Sequence, residues 1–216
     1  RAESRGRFDG VLSVLESIAR ALHAAHETGL VHRDVKPGNV IITPTGEPVL
    51  LDFGLARTHG EDSDLTVSGA PVGTPAYMSP EQVSGKHSQI DRTTDVWSLA
   101  VTAYECLTLE TPFRAETREA VYRRILTDDP APLRRFDRSW PRDLDVVIST
   151  ALRKEPDRRY RTALEFAEDL AAVRRMLPTR ARHTGMVERT RLWMRRNPVV
   201  SALLVLLALA LGTAVV

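Results

Sequence analysis

Residues 32–40 read H-R-D-V-K-P-G-N-V. An acid, a lysine and an amide stand close together there: Asp34, Lys36 and Asn39. Moving a phosphoryl group asks a protein chiefly for positioning and charge neutralisation. A carboxylate orients the acceptor hydroxyl and takes its proton, and Asp34 is the candidate. A cation offsets charge on the migrating group, and Lys36 lies two residues on. Mg2+ takes hard oxygen ligands, often only one or two from the protein. Asn39 and Asp52 are of that type, and Asp52 opens D-F-G directly after a β-prone run.

The elements that must position these groups are legible in the pattern. Val11, Leu15, Ile18, Leu22 and Ala25 recur at helical spacing, so 9–28 is predicted as an amphipathic helix with Gly29 as its stop. Residues 40–43 and 48–51 flank T-P-T-G and predict a hairpin. From 52 to 77 the chain is rich in Gly, Ser, Thr and Pro without a sustained period; so long a loop is usually functional or disordered. S-P-E-Q predicts a helix start with Ser79 as N-cap and Pro80 at the first helical position. Residues 91–107 read as a buried helix, and 117–127, 142–154 and 162–176 as further helices. The last opens with the capping box T-A-L-E, Thr162 to Glu165.

A lone H-R-D or D-F-G is a weak signal, more often a turn than a site. Here H-R-D-x-K-x-x-N precedes D-F-G by one hairpin, and G-T-P-A-Y-M-S-P-E follows. Together they resemble the catalytic loop, magnesium loop and activation segment of the eukaryotic-like (Hanks-type) Ser/Thr protein kinases, in particular the bacterial membrane-anchored members. The resemblance covers residues 1–176. It implies a mainly α fold: the kinase C-terminal lobe with a small β-hairpin, followed by a single transmembrane helix.

The same resemblance implies roles. Asp34 would be the catalytic base and Lys36 the contact to the γ-phosphate of ATP. Asn39 and Asp52 would bind Mg2+, with Gly54 completing the magnesium loop. Ile41 matches the apolar residue beneath adenine. His32 and Phe53 match a stacked apolar spine. Asp95 matches the acid that anchors the catalytic-loop backbone, and Glu81 and Arg159 match an ion pair. Thr74 matches the threonine that bonds the catalytic Asp and Lys. Lys36 and Thr74 favour Ser/Thr acceptors over Tyr. Arg33 implies a phosphorylated activation loop, with Thr66 or Ser68 as the sites. A homodimer is a candidate assembly for activation. No Gly-rich phosphate loop, V-A-I-K lysine or partner glutamate is found, so the resemblance begins inside the C-terminal lobe and the segment is expected to lack most of the ATP clamp.

Charge divides the chain of 216 residues. Residues 1–173 hold 22 Lys/Arg against 27 Asp/Glu, whereas 174–196 hold eight Arg and only Glu188. Residues 198–216 carry no charge at all, and 18 or more apolar residues make a candidate membrane span. Arg189, Arg191, Arg195 and Arg196 before that run mark its cytoplasmic side, with Trp193 at the interface. The expected organisation is therefore a kinase lobe over 1–176, a basic linker over 177–197 and a span over 198–216, anchored in the cell membrane with the kinase region cytoplasmic. Apart from Trp193 the Arg run has no aromatic platform, so anionic headgroups suit it better than nucleic acid. The single cysteine, Cys106, cannot form an internal disulfide and reads as an inert core residue on an apolar helix. His23 and His26 read as packing or surface residues. His59, His87 and His183 lack the partners of a zinc site, and Trp97 and Trp140 read as core.

The leading expectation is an ATP-dependent Ser/Thr kinase acting on protein substrates in receptor-type signalling. The alternative is a pseudokinase scaffold, against which intact Asp34, Lys36, Asn39 and Asp52 argue. The residues preceding Arg1 in the whole protein discriminate the two.

Overall fold

The apolar residues of the first predicted helix need a partner, and the structure shows which. The structure, a computed structural model, describes residues 2–52 and 75–181. Helix α1 (Ala2–Glu27) begins seven residues before the predicted start. Leu12, Leu15, Ile18, Ala19 and Leu22 form its buried stripe, with Val11 packed at the margin. Chain reversal follows at Gly29, whose φ of +81 is unfavourable for any residue with a Cβ. The catalytic-type loop comes next. Strand β1 (Val40–Ile42) then pairs antiparallel with β2 (Pro48–Leu50), Ile41 opposite Val49, as the hairpin pattern predicts.

Helix α2 (Pro80–Val83) opens with the predicted cap. Helix α3 (Arg92–Thr108) is the axis of the body, buried from Thr93 through Tyr104. Its N-cap Asp91 accepts the Thr93 N–H at 2.8 Å. Helices α4 (Arg118–Thr127), α5 (Arg142–Ala151) and α6 (Ala163–Arg174) complete the order. The two-stranded sheet and the surrounding helices make the body mainly helical. Helix α5 stops three residues short of its predicted end: Leu152 leaves helical geometry, and its N–H still bonds the Ile148 carbonyl.

Helices α1 and α6 pack along each other and against α3. Glu16 ties them at the rim, accepting from Arg174 of α6 at 2.8 Å and from Arg20 of its own helix at 2.9 Å. Trp97 and Phe113 stack at 5.6 Å in the centre. The Lys154 ammonium lies 4.1 Å from the Phe113 ring centre, where burial pulls its pKa down to about 8. Past α6 the chain is held rather than released. Buried Asp169 accepts from the Tyr160 hydroxyl and from the backbone N–H groups of Arg180 and Ala181, at 2.7–2.9 Å.

Cys106, expected in the core, is exposed instead. The buried length of α3 ends at Tyr104, and the last turn runs past the edge of the body. Trp97 is fully buried and Trp140 partly so, packed against the core. Among the described residues no helix is long and apolar enough to cross a membrane. The expected span at 198–216 and most of the basic linker lie outside the described residues.

Candidate active site

A carboxylate with no exposure organises the loop that carries Asp34. Asp95 of α3 accepts the backbone N–H of His32 at 2.8 Å and that of Arg33 at 2.7 Å. Its Oδ2 also meets His26 Nε2 at 2.7 Å. A buried carboxylate needs such donors, and bonds to an ionised acceptor are stronger than neutral ones. They offset the cost of Arg33, whose φ of +68 is a left-handed conformation that residues with a Cβ adopt only under constraint. The expected anchoring by Asp95 is thus present, 62 residues away in sequence.

His26 belongs to this anchor, which corrects its reading as a packing or surface residue. Its side chain is buried at the end of α1 and donates to Asp95 across 69 residues of sequence. The helix register held a signal. Leu12, Leu15, Ala19 and Leu22 continue at the same spacing to His26, so the buried stripe ends on a polar side chain. Its partner could not be read from spacing.

Downstream the backbone extends, with Lys36 at φ −159 and ψ 163. Alternate side chains therefore face opposite ways. Val35 turns into the core with no exposure, worth ~1.5–3 kcal/mol of apolar burial. Asp34 and Lys36 on either side of it meet at the surface, Lys36 Nζ donating to Asp34 Oδ2 at 2.6 Å. Asn39 is buried beside them. Its Nδ2 donates to the Asp34 carbonyl at 2.7 Å and to Oδ2 at 3.1 Å. With Nδ2 so engaged, Oδ1 is the atom Asn39 can offer a cation.

The hairpin brings Asp52 to the same place. Leu51 N–H donates to the Asn39 carbonyl at 2.8 Å, so Asp52 is the next residue beyond that pairing. It is exposed, with a left-handed φ of +60. His32 closes the arrangement: Nε2–H donates to the Leu51 carbonyl at 2.7 Å, and Nδ1 accepts the Asp34 N–H at 3.3 Å. One tautomer serves both bonds, because the carbonyl only accepts and the amide only donates. Ile41 on β1 is half exposed.

A second cluster stands behind the loop. Arg159 grips Glu81 through two parallel bonds of 2.8 and 2.7 Å, both side chains being buried. Thr94 of α3 adds a hydroxyl bond to Glu81 at 2.7 Å. Burial alone would raise the Glu81 carboxyl, but the Arg159 bonds and charge, with Thr94, hold it below the usual carboxylate range. The ion pair expected from the sequence is therefore formed. Nearby, Tyr77 donates to Glu105 at 2.6 Å and its carbonyl accepts from Ser98, fixing residues 75–77 to α3. Phe53, Gly54, Thr66, Ser68 and Thr74 lie outside the described residues.

The structure thus brings together Asp34, Lys36 and Asn39 by direct bonds, with Asp52 one residue past the hairpin pairing. The amide and carboxylate oxygens of Asn39 and Asp52 have the donor chemistry a hard divalent cation takes. Comparison with known proteins agrees. Residues 8–171 match the protein kinase domain family. The chain is 36% identical over 170 residues to the serine/threonine-protein kinase PknB of Mycobacterium leprae, covering 79% of this chain and 27% of that protein. It is 37% identical over 171 residues to PknB of Mycobacterium tuberculosis, with the same coverage. It is 36% identical over 162 residues to the probable serine/threonine-protein kinase SCO3848 of Streptomyces coelicolor, covering 74% of this chain and 24% of that protein. The chain spans about a quarter of the length of these relatives. A buried carboxylate holding a strained catalytic-type loop, a bonded Asp–Lys–Asn cluster and a match across most of the described body lead to one conclusion: this chain belongs to the protein kinase family, among the eukaryotic-like bacterial serine/threonine kinases.

Proposed function

We propose that the protein carrying this chain transfers the γ-phosphoryl group of ATP to Ser or Thr hydroxyls of other proteins. The carrying observation is the bonded cluster of Asp34, Lys36 and Asn39. The acceptor hydroxyl oxygen forms the new bond to phosphorus, and the bond to the β,γ-bridging oxygen breaks, releasing ADP. The hydroxyl proton passes to Asp34. Its Oδ2 already holds Lys36 and Asn39, so Oδ1 is the oxygen that receives it. Lys36 lies beside the reacting oxygens and offsets their charge. Asn39 and Asp52 would hold Mg2+, which supplies charge neutralisation on the phosphates. Ile41 would lie beneath the adenine.

Residues 1–176 act in this proposal as the C-terminal lobe of the kinase domain, 177–197 as a basic linker and 198–216 as a single membrane span with the kinase region cytoplasmic. The uncharged run and the Arg cluster before it support that topology. Reporters fused at residue 190 and after 216 should fall on opposite sides of the membrane; the same side for both rejects it. Thr66 and Ser68 are the proposed activating sites. A phosphate there brings about −1.5 to −2 charges and strong acceptors to Arg33.

The activity is tested with the full-length protein, γ-labelled ATP and Mg2+. The expected result is label on Ser and Thr of an added protein substrate, with phosphate on Thr66 or Ser68 by mass spectrometry. No transfer to protein with intact ATP binding would instead make it a pseudokinase.

A further inference from the structure

We infer that Gln82 is a positioning residue for the transfer reaction, aiming Asp34 by holding the peptide bond that precedes it; this rests on the activity proposed above. Gln82 sits in the first turn of α2. Its carboxamide is used at both ends. Oε1 accepts the Ser79 N–H at 2.9 Å, and Nε2 donates to the Arg33 carbonyl at 2.9 Å. The orientation is unambiguous, because a backbone N–H only donates and a carbonyl only accepts.

The Arg33 carbonyl belongs to the peptide unit joining Arg33 to Asp34. The other end of that unit, the Asp34 N–H, donates to His32 Nδ1 at 3.3 Å. One peptide plane is thus gripped on both sides, by Gln82 and by the His32 ring. Its orientation sets the direction in which the Asp34 side chain leaves the backbone. The preceding residue is the strained one: Arg33 has φ of +68, and Asp95 holds its N–H. A peptide turn that relaxed Arg33 would swing Asp34 away from Lys36, and the Gln82 bond opposes that turn.

Helix α2 is itself fixed from behind, since Glu81 beside Gln82 is clamped by Arg159 and Thr94. Residues 75–77, just before it, are tied to α3 through Tyr77. Gln82 therefore joins the segment carrying Tyr77 to the catalytic loop, 49 residues away in sequence. The position demands one donor and one acceptor at this reach. A Glu side chain supplies only acceptors when ionised, Met supplies neither, and Asn is one methylene too short.

Gln82→Glu separates aim from helix capping. Its carboxylate still accepts from Ser79 N–H, so the cap survives, but its second oxygen faces the Arg33 carbonyl without a proton. In the full-length kinase this variant should stay folded, its unfolding temperature lowered only by the loss of one part-buried hydrogen bond, while kcat falls about tenfold to a hundredfold, with KM for ATP unchanged. Gln82→Met, which removes the donor without adding charge, should lose kcat similarly and serves should Gln82→Glu not fold. Ser79→Ala, which removes the Oγ acceptor of the cap and leaves the Arg33 bond, should lower stability and leave kcat alone. Wild-type kcat in either folded Gln82 variant overturns the inference. So does a Ser79→Ala variant that loses kcat equally, or a loss confined to KM. A wild-type enzyme without transfer overturns the proposed activity and this role with it, whereas active wild type beside active variants removes only the role.

Discussion

Asp34→Asn is expected to lower kcat by ~10²–10⁴, the range a positioned general base contributes. The substitution keeps the size of the side chain and an oxygen that can accept from Lys36 Nζ or Asn39 Nδ2. It removes the carboxylate proposed to take the hydroxyl proton. Asp34 and Lys36 are each about one-fifth exposed, so their pair is partly screened and its loss costs about 0–1 kcal/mol. Thermal unfolding should therefore barely move. ATP binding should persist, because Asn39, Asp52 and Ile41, the residues proposed to hold Mg2+ and adenine, are untouched. Single-turnover measurements with the full-length kinase separate the two effects. A folded variant that transfers phosphate at the wild-type rate would remove Asp34 from the proton-accepting role.

Arg159→Met is expected to have the largest effect on stability. Glu81 and Arg159 are almost fully buried, and breaking a buried pair from one side typically costs ~3–5 kcal/mol because the other charge is left uncompensated. That is a large part of the ~5–15 kcal/mol a domain usually has. Met keeps contact with the Trp97 ring, over which the guanidinium lies at 5.0 Å, so little packing is lost. Three other bonds go with the guanidinium, to the Arg153, Thr93 and Lys154 carbonyls. The double variant Glu81→Met with Arg159→Met should recover part of the loss, since no lone charge remains buried. Equal losses in the single and double variants would show that the charge is not the cause.

The same pair sets a dependence on acidity. The Glu81 pKa in the folded protein lies below its ordinary value of 4.5. The unfolded chain therefore binds the proton more readily, and the pair's contribution is fully present above about 4.5 and lost as pH falls through the folded pKa. In Arg159→Met the buried carboxyl no longer has its cation, so protonation relieves it. The stability gap between wild type and variant should narrow on acidification, beginning above about 4.5, where the uncompensated carboxyl of the variant takes up its proton, and continuing below it, where wild type loses the pair. A gap that stays constant to lower pH would exclude Glu81 as its source.

Local chemistry decided much of this protein before any folding is considered. Ser79 and Pro80 mark a helix start because a hydroxyl can cap a free N–H and Pro has none to leave unpaired. T-P-T-G sets the hairpin, since Gly46 readily takes its φ of +85. Asp34, Lys36 and Asn39 could be named together because alternation and a tight turn confine them to one small loop. Asp52 could be placed near them because a hairpin returns the chain beside its start. The resemblance to kinases carried Asp95, Glu81 and Arg159, whose separations no periodicity could bridge.

What only the tertiary structure decided lies in contacts between distant elements. His26 looked like any helix-end histidine until α3 set Asp95 against its ring. Cys106 shared the apolar pattern of α3, but where that helix leaves the core depends on the length of the body packed around it. Gln82 stood in the sequence only as the last letter of a helix start, and only the fold put an acceptor 49 residues away within reach of its side chain. The physical reason is common to all three. A side chain's hydrogen-bonding capacity is written in its type, whereas the partner that satisfies it is chosen by packing, which brings residues far apart in sequence into contact.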